Sequence, residues 1–170
     1  MMKKLIYILC FYSMLSVAYS AGTEEDKGNE EREADITVLK GSKIATEYEK
    51  AVYAIYKAKK LDKKGKTKKA KKKYQIAYDF LIKANNVENG NPDILNYLGF
   101  ASRKLEKLED AEIYYLLGLD QDPYHIGINE YLGELYLETN RIDKAKERLK
   151  VLENCKCKEF KELKILISKS

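Results

Sequence analysis

The sequence predicts an all-α protein, an antiparallel helix-pair solenoid of about three stacked pairs with a C-terminal capping helix. The first observation is a repeat with a period of 34 residues, in which Leu98-Gly99 returns as Leu132-Gly133 and Ala111 as Ala145. A helix pair that cannot bury its own apolar face stacks on a copy of itself, and a fixed period indicates this stacking. The second observation is a composition rich in Lys, Glu, Tyr and Leu with only two prolines, which favours helices.

Residues 1–20 have the features of a secretory signal peptide. Lys3 and Lys4 provide the positive start, residues 5–17 are apolar, and the small residues Ala18 and Ser20 stand where a signal peptidase reads the chain. The apolar stretch is shorter than the roughly 20 residues that span a bilayer as a helix. We therefore expect cleavage after Ser20 and export, most simply to a bacterial periplasm; a permanent membrane anchor is the alternative.

The next segments are an acidic leader and a first, degenerate repeat. Residues 21–41 are interpreted as a flexible leader, because their Glu-rich first part has too little apolar surface to offset the cost of ordering. The helical domain covers residues 42–170, and its first repeat, residues 42–86, turns at Gly65. Ala70 and Ala111 are 41 residues apart, seven more than the period. Two extra helical turns account for this difference and predict an unusually long helix over Lys68–Asn86.

Two complete repeats follow at residues 91–123 and 125–157, and residues 158–168 form the capping helix. Asn91-Pro92 opens the first of them with a capping side chain and a proline in the first turn. Gly99 with Ala111, and Gly133 with Ala145, predict that the two helices within each pair approach closely. A short amphipathic helix at the end of the stack is expected to cover its exposed apolar face.

These residues carry a family resemblance. The pattern Leu95…Leu98-Gly99…Ala111…Tyr115…Pro123 is similar to the tetratricopeptide repeat (TPR), and so is Asn129…Leu132-Gly133…Tyr136…Ala145…Leu149…Cys157, where Cys157 replaces the family's Pro. The Cys pair with Glu159-Phe160 and Leu163-Lys164 also resembles the last residues of short secreted bacterial TPR proteins. The resemblance implies a scaffold that binds a protein or peptide partner in a concave groove and performs no catalysis.

The groove residues follow from this resemblance together with the helical phase. An aromatic side chain beside two carboxylates and an arginine suits an extended or helical peptide. The carboxylates of Glu130 and Glu134 lie one turn apart and favour a basic partner. They do not match the basic residues with which some TPR proteins grip a C-terminal carboxylate. An ordinary solvated helix face is the alternative. The expected groove residues are Asn96, Phe100, Arg103, Glu130, Glu134 and Leu137.

A run of lysines lies at the turn of the first repeat. Residues 57–73 contain 11 lysines and one acid, Asp62. This density suits an anionic membrane surface or polymer, and an ordinary solvated turn is the alternative. Nucleic acid is not expected as a partner, because an exported protein would not meet it. The basic patch comprises Lys63, Lys64, Lys66, Lys68, Lys69, Lys71 and Lys72.

Cys155 and Cys157 are the cysteines that remain after signal cleavage. Outside the cytosol we expect them to form a disulfide that closes the last loop. Thiol-disulfide exchange is the alternative function, although their spacing lacks the two intervening residues of the oxidoreductase motif. His125 stands alone without metal-ligand spacing, and no phosphate-binding loop is present. We therefore expect no catalytic residues, no metal and no cofactor.

Overall fold

The computed structural model describes residues 43–170, with side chains from Thr46 onward. The predicted signal peptide and acidic leader lie outside these residues. The described part contains seven helices and no strand, which confirms the all-α solenoid. The helices are α1 (Lys43–Asp62), α2 (Thr67–Val87), α3 (Pro92–Lys104), α4 (Leu108–Gln121), α5 (Ile126–Glu138), α6 (Ile142–Val151) and α7 (Lys158–Ile167).

The first pair, α1 and α2, is longer than the two that follow. Helix α2 has 21 residues, whereas α4 has 14 and α6 has 10, so the prediction of a long second helix is confirmed. Gly65 forms the turn between α1 and α2 with a φ of +67°, which residues with a Cβ rarely adopt. Ala58 and Ala70 are fully buried on the facing sides of the two helices.

The pairs α3–α4 and α5–α6 are the two complete repeats, and the first helix of each begins with a side-chain cap. Asn91 Oδ1 accepts a hydrogen bond from the backbone N–H of Asp93 at 2.9 Å, and Pro92 follows it, as predicted. His125 Nδ1 accepts from the Ile128 N–H at 3.1 Å and so caps α5. Its Nε2 therefore carries the proton and donates to Asp93 at 3.0 Å, which joins the starts of α3 and α5.

Glycines allow the closest contacts in the stack. A Cβ at Gly99 would lie 2.4 Å from the Tyr115 ring, so the missing side chain makes room for this fully buried ring between α3 and α4. The side chain nearest to Gly133 is Leu163 of α7, at 2.6 Å from an added Cβ. The expectation that Gly133 serves contact with Ala145 in its own pair is corrected, because α7 uses this space instead.

Helix α7 covers the end of the stack. It packs on both α5 and α6, and its own Leu163 is fully buried in this contact. The core consists of one cluster from α1, α2 and α3 and a second from α4, α5 and α6, and Tyr131 packs against both. Helix α7 thus has the capping position that the sequence predicts.

Candidate protein-binding groove

One helix from each pair lines a concave groove. Helices α1, α3 and α5 form its walls, and residues of α7 close one side. Two hollows of about 400 Å³ each lie along it. They are adjacent and share five lining residues. These are Lys59, Glu130, Tyr131, Lys158 and Glu159.

The floor of the groove is aromatic. The Phe100 ring packs between Tyr74 and Tyr131, with ring centroids 5.9 and 5.1 Å away. The ammonium of Lys59 lies 4.4 Å from the centroid of the Phe100 ring, and only 3% of Phe100 is exposed. The expectation of an exposed Phe100 is therefore wrong, because α1 and α5 cover this side of α3.

Arg103 is also buried rather than outward-facing, which corrects a second expectation. Its guanidinium forms an ion pair with Glu134 and lies 3.8 Å from Glu138. A further hydrogen bond of 3.5 Å runs from Arg103 to the carbonyl of Tyr131. All three contacts are with α5, so the side chain ties α3 to α5 instead of standing in solvent.

Asn96 and Leu137 deviate from the expected groove in different ways. Asn96 lines the second hollow but is buried, because its amide fits against Gly127, where a Cβ would lie 2.8 Å from Asn96 Nδ2. Its Oδ1 has no hydrogen-bond partner. Leu137 lines neither of these two hollows and packs against the second core cluster. Asn96 therefore belongs to the groove wall, and Leu137 does not.

Glu130 is a buried carboxyl group, with 5% of the residue exposed. Burial raises its pKa to about 8, helped by a hydrogen bond with Glu162 of α7 and by the nearby charges of Glu134, Glu162 and Glu159. Burial therefore favours the protonated form of Glu130. The expectation that Glu130 and Glu134 present two free negative charges is wrong, because burial disfavours the charge of Glu130 and Arg103 pairs with Glu134.

Several groove residues were not predicted from the sequence, among them Lys59 of α1 and Glu159 of α7, which lie outside the two complete repeats. Lys59 stands one turn after the buried Ile55 and shares the inner face of α1. Glu159 stands four residues before the buried Leu163, so both lie on one face of α7. Extending the helical phase to α1 and α7 would have found them. Tyr131 of α5 also lines both hollows.

The lysines of the predicted basic patch lie on different surfaces of the protein and do not form one site. Lys63 lines the first hollow of the groove. Lys71 forms a 2.8 Å ion pair with Glu106 in the turn between α3 and α4. Lys64 and Lys66 face a separate depression on another side of α1. The remaining members, Lys68, Lys69 and Lys72, are exposed on α2.

Cys155 and Cys157 are joined in the loop between α6 and α7, as expected. Their Cα atoms are 5.1 Å apart, and Cys155 Sγ accepts a hydrogen bond from the Cys157 N–H at 3.3 Å. Neither cysteine lines the two hollows of the groove. The disulfide thus constrains the backbone of the loop that leads into α7.

Residues 43–170 contain no group of three or more His, Cys, Asp or Glu side chains arranged to hold a metal ion. None of the helices described combines the length and apolarity that crossing a bilayer requires.

A solved structure shares this arrangement of helices. The first TPR of Spaghetti (RPAP3), bound to the HSP90 peptide SRMEEVD, matches with a TM-score of 0.50 and 23% identity, over 70% of this chain and 91% of that one. The fold is TPR-like. A TPR protein from Parabacteroides merdae ATCC 43184 has a TM-score of 0.48 and 18% identity, over 71% of this chain and 60% of that one. No protein-family model and no curated protein matches the sequence. At these identities the TPR-like chain shares the fold alone.

Proposed function

We propose that the protein is an exported scaffold, not an enzyme, which binds a protein or peptide segment in its TPR-like groove in the bacterial envelope. The observation that carries this proposal is the lining of the groove. An aromatic floor of Phe100 and Tyr131 is surrounded by charged side chains of both signs. Binding sites for peptides commonly combine an apolar base with a polar rim. The peptide bound by the TPR of Spaghetti supports the same use of this fold.

The charges of the rim are divided between its walls. Helix α1 and the turn after it supply Lys59 and Lys63, beside Asp62, whose carboxylate accepts a hydrogen bond from Tyr74, whereas α7 supplies Glu159 and Glu162 together with Lys158. A partner segment with an acidic residue toward α1 and a basic residue toward Glu162 would complement both walls. Such complementarity fixes the direction in which a peptide binds. We therefore propose a segment of mixed charge as the partner, in place of the purely basic one.

The test is selection of peptides from a random displayed library against the full chain, followed by fluorescence anisotropy with the selected peptides. Lys63→Glu and Glu162→Lys change exposed residues of the rim. Each should weaken binding at least about fivefold, or roughly 1 kcal/mol. Lys72→Glu and Glu109→Lys make the same charge changes on exposed residues that line neither hollow, and they should change affinity less than about twofold.

Two results would contradict groove binding. The first is a library that yields no peptide binder. The second is a set of binders whose affinity falls equally with the rim variants and the control variants, because this would indicate general electrostatic attraction. Circular dichroism melting curves of Lys63→Glu and the two control variants should coincide with that of the unsubstituted chain. Glu162→Lys removes the hydrogen bond to Glu130, so its melting curve need only show a fully folded chain at the temperature of the binding assay, which keeps loss of fold apart from loss of binding.

A further inference from the structure

A second depression lies on a different face of α1 from the groove, beside the turn into α2. It has a volume of about 330 Å³. Its floor contains Tyr53, which is 60% exposed, and the half-buried Leu61. No carboxylate lines it. The lysines around it are Lys57, Lys60, Lys64, Lys66 and Lys73.

The lining combines positive charge with apolar surface. The ammonium of Lys57 lies 4.9 Å from the centroid of the Tyr53 ring, a distance typical of a cation–π contact. Lysine side chains also cover apolar surface with their methylene groups while the ammonium stays in water. The depression therefore suits a group that is negatively charged and bonded to an apolar part.

The start of α2 increases the positive potential. The backbone N–H groups at a helix start carry partial positive charge, and acidic residues usually occupy the first turn. Helix α2 has no acid in its first turn and no side-chain cap at Lys66. Lys66 is both the residue that precedes the helix and part of the lining. An anion bound here would offset the repulsion among the lysine ammonium groups, which no carboxylate of the depression balances.

The turn between α1 and α2 is open to solvent. Residues 63–69 are all exposed, and the ion pair between Lys71 and Glu106 of the α3–α4 turn lies beyond them, one turn inside α2. The lysine-rich turn therefore presents its ammonium groups where a surface can reach them.

We propose that this depression binds the phosphate headgroup of an anionic phospholipid, and that the exposed turn beside it docks the protein on a membrane surface. A lipid provides the negative phosphate and the adjoining apolar part in one molecule. Tyrosine and lysine are the residues that favour the interface of a bilayer. The proposal is independent of peptide binding in the groove.

The test is sedimentation of the full chain with phosphatidylcholine vesicles that do or do not contain phosphatidylglycerol. The depression variant carries Lys57→Gln, Lys60→Gln and Lys64→Gln. The control variant carries Lys68→Gln, Lys69→Gln and Lys72→Gln, which remove the same charge from exposed residues that do not line the depression. We expect the depression variant to lose at least tenfold in partitioning to anionic vesicles and the control variant less than about threefold.

Tyr53→Ala distinguishes binding in the depression from general attraction between the lysines and an anionic membrane. It leaves the net charge unchanged, and the exposed ring contributes little to the core, so a partitioning loss of about threefold or more supports the site. Equal losses for the two lysine variants, or no binding to anionic vesicles, would overturn the proposal. It would also be overturned if inorganic phosphate at a few millimolar displaced the protein from vesicles, or if a soluble polyanion bound more tightly than vesicles with the same dependence on Lys57, Lys60 and Lys64.

Discussion

Replacing Phe100 by Ala tests how the groove floor is built. The ring is 3% exposed and packs against Tyr74 and Tyr131. Removing a buried phenyl ring costs about 3–5 kcal/mol, because apolar burial is lost and a cavity remains. One side of this cavity would open to the groove, where water can enter, so we expect a loss of about 3–4 kcal/mol. This is a large part of the roughly 5–15 kcal/mol by which domains are stable.

The measurement is urea unfolding followed by the helical circular dichroism signal. Phe100→Ala should lower the midpoint concentration while leaving the slope of the transition unchanged. Tyr124→Ala is the matched control, since Tyr124 is 77% exposed and its removal should change stability by no more than about 0.5 kcal/mol. A loss of less than about 1 kcal/mol for Phe100→Ala would show that the ring is not part of the core and would restore its role as an exposed contact.

Three further changes test the packing, the buried carboxyl group and the disulfide. Gly99→Ala places a Cβ 2.4 Å from the rigid Tyr115 ring. The overpacking cost of about 1–3 kcal/mol should exceed the roughly 1 kcal/mol that Ala gains over Gly in a helix, so the free energy of unfolding should fall. Unchanged stability in urea would refute this. The pKa of Glu130 is raised by burial from 4.5 to about 8, so its contribution to stability is present below pH 4.5 and is lost as the pH rises to about 8. Melting temperatures of Glu130→Gln should fall less across this range than those of the unsubstituted chain, and parallel curves would contradict the assignment. Replacing Cys155 and Cys157 by Ser should lower the melting temperature by a few degrees at most, because the closed loop is short, whereas an insulin-reductase activity abolished by the same change would indicate redox function.

The helices were predictable because their determinants are local or periodic. Asn91 and Pro92 mark a helix start, and Gly65 marks a turn, each through the chemistry of one or two residues. The long α2 followed from the seven residues that separate Ala70 and Ala111 beyond the period. Such features depend on neighbours in the chain, which a single sequence contains in full.

The exposure of the groove side chains could not be predicted in the same way. Helical phase placed Phe100, Arg103 and Glu130 on the concave side of α3 and α5, and this side does line the groove. The covering groups come from elsewhere in the chain. Lys59 of α1 lies over Phe100, and Glu162 of α7 approaches Glu130. Residues about 100 positions apart thus line one hollow. The periodicity of two repeats gives no information about which side chains of α1 and α7 cover the groove.

Helix α7 also determines how the stack could be lengthened. Leu163 fills the space beside Gly133, on the face where another helix pair would have to pack. A repeat inserted directly after Cys157 would therefore need a residue of its own in that space, and α7 would have to move to the new end. The walls that α7 gives the groove, Glu159 and Glu162, would move with it. Groove length and the charge at its far wall are thus set by the same helix, so an engineered chain with an added repeat would change both together.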